Sequence, residues 1–112
     1  MDKIKAYVIG IGRTKFGVLK ESIPELAYEV MLKSLEDSGL SIDEIGAIYV
    51  ANFAASLFQN QIHLSSVISG LIPKSNIPII GIETACASAS TALYQAILSL
   101  NRFENIMVLG IE

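Results

Sequence analysis

In a chain of 112 residues, 17% charged and 52% apolar side chains leave more apolar surface than a lone small domain hides. A second copy, a partner subunit or the remainder of a larger fold is expected to cover part of it. A net charge of −3 with no run of lysine or arginine excludes a nucleic-acid footprint, and one cysteine excludes an internal disulfide or a cysteine-based zinc site.

In chain order, Ala6-Tyr7-Val8-Ile9-Gly10-Ile11 is a continuous apolar run, expected to be a strand covered on both faces. It is too short for the apolar region of a signal peptide. A polar loop with two glycines follows. Ser22-Ile23-Pro24-Glu25 opens a helix, with Ser22 as cap, Pro24 in the first turn and Glu25 completing a capping box. Ile23, Leu26, Ala27, Val30, Met31 and Leu35 form its apolar face, and Gly39 stops it. Ser41–Glu44 reads as a short capped turn, Ala47–Ala51 as the second strand and Phe58–Gly70 as a helix. After a loop over 73–76, Ile77–Ile82 reads as the third strand, Cys86–Asn101 as the main helix and Ile106–Ile111 as the fourth strand.

Strands alternating with helices predict an α/β fold, β-α-β-α-β-α-β, with a mostly parallel sheet. Two stretches lack formal charge, residues 46–73 and 84–101. The first is broken by Asn52, Gln59, Asn60, Gln61 and His63, and the second is dense in Ser, Thr and Ala. Neither meets the demand of a spanning helix for about 20 mostly apolar residues, so no membrane insertion is expected. With the lone cysteine, this fits a cytoplasmic location.

Cys86 is the residue with the most chemistry in its surroundings. Most free cysteines are inert core residues. This one follows a buried strand, opens a helix, and has the small neighbours Ala85, Ala87, Ser88 and Ala89, which leave room for a substrate near the backbone. The amides and dipole of a helix N-terminus favour thiolate over thiol, and a thiolate is a candidate nucleophile. The helix that follows is small and uncharged on nearly all sides, which predicts burial between layers. His63 sits in a different helical segment and reads as a surface or subunit-contact histidine, not as a base for Cys86. Gly10-Ile11-Gly12 is not a dinucleotide loop, because the third glycine of that pattern would fall at Lys15. Arg13 and Lys15 are candidate phosphate contacts, although solvated loop charges are commoner. Ser88, Ser90 and Thr91 are expected to hydrogen-bond within the helix, and Glu36, Asp37, Asp43 and Glu44 to make a solvated edge.

Thr84-Ala85-Cys86-Ala87-Ser88 resembles the nucleophile segment of thiolases, a Cys-Ala-Ser-Gly stretch opening a buried helix. Gly10-Ile11-Gly12-Arg13-Thr14-Lys15-Phe16-Gly17 resembles the family's N-terminal Arg-Thr-x-Phe-Gly stretch, and Gln59-Asn60 is similar to thiolase sequence too. The likeness runs from the first expected strand to the last. It is nearest the sterol-carrier-protein-x-like and archaeal acetyl-CoA acetyltransferase types. Residues 1–112 then correspond to an incomplete thiolase N-terminal domain lacking the C-terminal part of the fold.

The resemblance implies an acyl-CoA C-acyltransferase. Cys86 would accept the acyl group as a thioester, with its backbone N–H as one oxyanion donor. Claisen condensation or thiolytic cleavage would follow. Coenzyme A thioesters would be substrates, no cofactor would be bound permanently, and partners would be a second copy or a thiolase-like subunit. Two departures matter. Ala89 stands where the family commonly has glycine, which puts substrate size in question. The Gly-His-Pro histidine and the second, Cys-x-Gly cysteine are not in this sequence, so no turnover is expected from the 112 residues alone. A ketoacyl-synthase-like condensing enzyme and a non-catalytic module that binds a thiolase-like partner are the alternatives.

Overall fold

A computed structural model describes residues 3–73 and 76–112. The loop expected over 73–76 lies partly outside the described residues. The elements are α1 (Ile23–Ser38), a 3-10 turn (Ile42–Glu44), β1 (Ala47–Ala51), α2 (Ala55–Phe58), α3 (Leu64–Ser69), β2 (Ile79–Ile82), α4 (Ser88–Leu98), a second 3-10 turn (Ser99–Asn101) and β3 (Ile106–Gly110).

The three strands form a fully parallel sheet in the order β2-β1-β3. Central β1 pairs Ile48 with Ile79 on one side and with Met107 on the other. All five of its residues are buried, which is why Ala47–Ala51 reads as an unbroken apolar run rather than an alternating one.

The pleat sends alternate β1 side chains to two cores. Ile48 and Val50 join Ala27 and Met31 of α1 and Leu64 and Ile68 of α3 on one face. Ala47, Tyr49 and Ala51 meet Ala92 and Ala96 of α4 on the other. Alanine against alanine lets α4 lie close to the strand. The Tyr49 hydroxyl, 2.6 Å from Ser99 Oγ, ties the far end of that helix to the sheet.

The ends of α1 form as their residues dictate. Ser22 Oγ accepts the Glu25 N–H at 3.3 Å, and Gly39 closes the helix at φ +74° with its N–H on the Leu35 and Glu36 carbonyls. Glu29 and Lys33 pair across one turn at 3.8 Å. Residues 41–44 close as the expected capped turn, with the Ser41 N–H donating to Glu44 Oε2.

Several expectations need correction. The segment Ala6–Ile11 joins no strand among the described residues, so the sheet has three strands where four were expected. It runs instead along α1. The Ile11 N–H donates to Asp37 Oδ2 at 2.8 Å, and Lys33 Nζ donates to the Arg13 carbonyl at 3.2 Å. A Cβ added at Gly10 would lie 2.6 Å from the Ser34 carbonyl oxygen, and one at Gly12 2.8 Å from the Val30 carbonyl oxygen, so these two glycines serve close backbone approach to the helix. A strand forms only where another strand completes its ladder, and local apolarity does not supply one.

Of the helix expected over 58–70 only Phe58, the last residue of α2, and Leu64–Ser69 of α3 are α-helical, and residues 59–63 break it. Asn60 between them sits at φ +51°, a region asparagine tolerates but a continuing helix does not. The main helix starts at Ser88 rather than Cys86 and ends in a 3-10 turn. Within this chain it is covered on one side only. Ala92 and Ala96 are buried, while Leu93, Tyr94 and Leu98 are exposed on the opposite surface. β2 begins two residues later than expected because Pro78 has no N–H, although its carbonyl still accepts the Ile48 N–H.

Candidate active site around Cys86

Cys86 lies on the turn between β2 and α4, with an exposed thiol, two residues ahead of the first helical residue. It is preceded by Ala85 at φ +53°, one of two non-glycine residues with positive φ among the described residues. Such a conformation persists only where its surroundings impose it. Here they do. The Ala85 N–H donates to Glu83 Oε2 at 2.6 Å. The Ala85 carbonyl accepts Ser88 Oγ at 2.7 Å and the Ser88 N–H at 3.2 Å. Ser88 Oγ also accepts the Thr84 N–H at 3.0 Å. The buried Ser88 hydroxyl is therefore a latch holding both sides of the turn that projects Cys86. Thr84 Oγ1 and Thr91 Oγ1 meet at 2.6 Å, and Thr91 bonds back to the Ala87 carbonyl.

Cys86 lines a cavity of about 330 Å³ at the carboxyl ends of the parallel strands, where α/β sheets generally bind their ligands. Asn52 and Phe53 after β1, and Ile111 and Glu112 after β3, form the wall opposite Cys86 and Ala89. That wall is closely bonded. Glu112 accepts the Ala54 N–H on Oε1 at 2.7 Å. On Oε2 it accepts the Phe53 N–H at 3.0 Å and Asn52 Nδ2 at 2.8 Å. Asn52 Nδ2 also reaches the Ile111 carbonyl at 2.6 Å, and its Oδ1 caps the Ala55 N–H of α2 at 3.0 Å. One carboxylate and one amide thus fasten the ends of β1 and β3 to each other.

The remaining sequence candidates are elsewhere. His63 is exposed at the start of α3, its N–H held by Gln61 Oε1, and it does not line the Cys86 cavity. Arg13 lies over the Phe16 ring at 5.6 Å; neither it nor Lys15 lines that cavity. Gln59 and Asn60 occupy the break between α2 and α3. Ser88 bonds locally as expected, but across the turn before the helix, so its part in shaping the Cys86 site was missed. Asn52, Phe53 and Glu112 were missed as well. Their one sequence signal is position, each standing just beyond the carboxyl end of a strand. Among the described residues no group of His, Cys, Asp and Glu is arranged to hold a metal, and no helix is long and apolar enough to cross a membrane.

The family model for the thiolase N-terminal domain matches residues 6–112. The chain belongs to the thiolase family. It is 39% identical over 108 residues to an acetyl-CoA acetyltransferase of Methanocaldococcus jannaschii, covering 94% of this chain and 28% of that protein. It is 38% identical over 94 residues to an acetyl-CoA acetyltransferase of Methanothermobacter thermautotrophicus, covering 83% and 24%. Sterol carrier protein 2 of Bos taurus is 30% identical over 116 residues, covering 96% of this chain and 20% of the relative. The chain thus spans about a quarter of the length of the acetyltransferases it matches. The crystal structure of 3-oxoacyl-[acyl-carrier-protein] synthase III from Aquifex aeolicus superposes with a TM-score of 0.67 over 82% of this chain and 30% of that one. At 18% identity that likeness shows the shared α/β fold alone.

Proposed function

We propose that this chain carries the acyl-accepting half of an acetyl-CoA acetyltransferase of the thiolase type, with Cys86 as nucleophile. The observation that carries the reading is an exposed cysteine on a hydrogen-bonded turn, lining a cavity at the carboxyl ends of a parallel sheet, in a thiolase-family chain. The acetyl-CoA acetyltransferases among its relatives support the substrate class.

The Cys86 thiolate attacks the thioester carbonyl of an acyl-CoA. A new carbon–sulfur bond forms, the bond to the CoA sulfur breaks, and CoA leaves as a thiolate that takes up a proton. The Cys86 backbone N–H is the proposed oxyanion donor; such a donor is worth ~3 kcal/mol in the transition state. The second step passes the acyl group to CoA or to the carbanion of acetyl-CoA. This reading draws the general base and second cysteine from outside these residues, since Cys86 is the only cysteine and His63 stands away from its cavity.

The exposed apolar surface of α4 and of residues 4–11 supports assembly with a second copy or a thiolase-like subunit. A cytoplasmic location is proposed with it, and no permanently bound cofactor. Incubation of a full-length enzyme carrying this chain as its N-terminal part with acetyl-CoA or acetoacetyl-CoA, followed by intact-mass measurement and peptide mapping, should place one hydroxylamine-labile acetyl group on Cys86. An unmodified Cys86, with acyl transfer surviving Cys86→Ala, would end the proposal.

A further inference from the structure

Ala85, directly ahead of the proposed nucleophile, is pinned from both sides. Its φ of +53° lies in the left-handed region, where a residue carrying a Cβ is strained. Ser88 holds the peptide unit that follows it: the Ala85 carbonyl accepts Ser88 Oγ at 2.7 Å and the Ser88 N–H at 3.2 Å. A peptide unit is planar and trans, so fixing its carbonyl also fixes the direction of the Cys86 N–H on its other edge. The peptide unit that precedes Ala85 is held by Glu83, whose Oε2 accepts the Ala85 N–H at 2.6 Å. The two planes meet at the Ala85 Cα, and holding both sets its φ and ψ together. Glu83 itself is exposed and does not line the Cys86 cavity. Residues 84–101 carry no formal charge, so its carboxylate is the ionic group of this turn. Like charge gives a thiolate no help, so what Glu83 contributes is an acceptor.

We propose that Glu83 is a positioning residue for Cys86. Its carboxylate holds Ala85 left-handed from the amino side as Ser88 does from the carboxyl side, and the pair sets where the Cys86 N–H points. The proposal rests on Cys86 being the acyl acceptor with its own N–H as oxyanion donor. Without the carboxylate, Ala85 relaxes toward the negative φ that alanine prefers, and the fraction of molecules with that amide in place falls.

The test compares Glu83→Ala with Glu83→Gln in a full-length enzyme carrying this chain as its N-terminal part. Both lose the charge, but glutamine keeps an acceptor oxygen at the same reach. Two rates are read on Cys86 by peptide mapping: acetyl transfer from acetyl-CoA, which uses the oxyanion donor, and alkylation by iodoacetamide, which does not. Glu83→Ala should slow acetyl transfer about fivefold relative to Glu83→Gln, the effect of one lost hydrogen bond. The two variants should be alkylated at equal rates. Adding Ala85→Gly to Glu83→Ala should restore acetyl transfer, because glycine takes the left-handed conformation without strain. Equal acetyl transfer in Glu83→Ala and Glu83→Gln overturns the proposal. So does a slowing of both reactions by the same factor, or a failure of Ala85→Gly to rescue. If Glu83→Ala does not fold, Glu83→Met, which keeps the side chain's length and drops the acceptor, takes its place under the same criteria. No acetyl group on Cys86 of the native enzyme removes the underlying reading, and this one with it.

Discussion

Residues 83–91 and residues 3–18 both carry sequence typical of the family, yet they behave differently. In the first, nearly every polar group is used within eight residues. Glu83, Thr84, Ser88 and Thr91 bond each other or the backbone of the turn, and Ala85 is held at positive φ between them. In the second, no regular element forms, Tyr7 and Val8 are about 80% exposed, and the few fixed points are contacts to α1. The Cys86 turn is a local structure that its own side chains complete. The N-terminal segment is an apolar run that no strand among the described residues pairs with, and it rests on α1 instead. Family sequence therefore marks two kinds of feature here, one self-sufficient and one that depends on what it packs against.

The sharpest way to break this contrast is at Cys86 itself. Cys86→Ala should abolish acyl labelling while leaving thermal stability within about 0.5 kcal/mol, because the thiol is exposed and bonds nothing in the turn. Next comes the latch. Ser88→Ala removes two hydrogen bonds at once, from the Thr84 N–H and to the Ala85 carbonyl, and at about 0.5–1.5 kcal/mol each should cost about 1–3 kcal/mol by denaturant unfolding. It should also slow Cys86 acylation more than Ser90→Ala does; equal rates in the two variants would show that the turn holds itself without the hydroxyl.

On the other side of the contrast, Gly10→Ala drives a methyl into the Ser34 carbonyl and should cost about 1–3 kcal/mol while sparing acylation of Cys86. A neutral result would mean that the segment is not seated on α1. The smallest effect belongs to Tyr7→Ser, expected within about 0.5 kcal/mol in this chain, since the ring is mostly exposed. A large loss on thermal unfolding would show that the ring has a partner in solution, and with it the strand pairing that the sequence leads one to expect.

How much was legible follows the same division. The capped start of α1, its glycine stop and the span of β1 were readable because each depends on neighbours a few residues away or on an unbroken apolar run. Cys86 was readable as a candidate because a thiol among small residues between strand and helix is a local pattern. The break at Asn60 was not, since a left-handed asparagine inside an apolar, uncharged stretch leaves no distinctive spacing. Nor was the wall opposite the thiol. Glu112 meets Asn52 and Phe53 across some sixty positions of sequence, and no local rule pairs them.

From its sequence alone this protein's family, its α/β alternation and its nucleophile candidate were already determined, because helix caps, apolar periodicity and short-range motifs are written in adjacent residues. Only the tertiary structure decided that the first apolar run lies against α1 instead of in the sheet, that Ser88 latches the Cys86 turn, and that Asn52, Phe53 and Glu112 close the cavity. Those outcomes depend on which strand ends parallel pairing brings together, and hydrogen bonds between distant segments exist only once that pairing has formed.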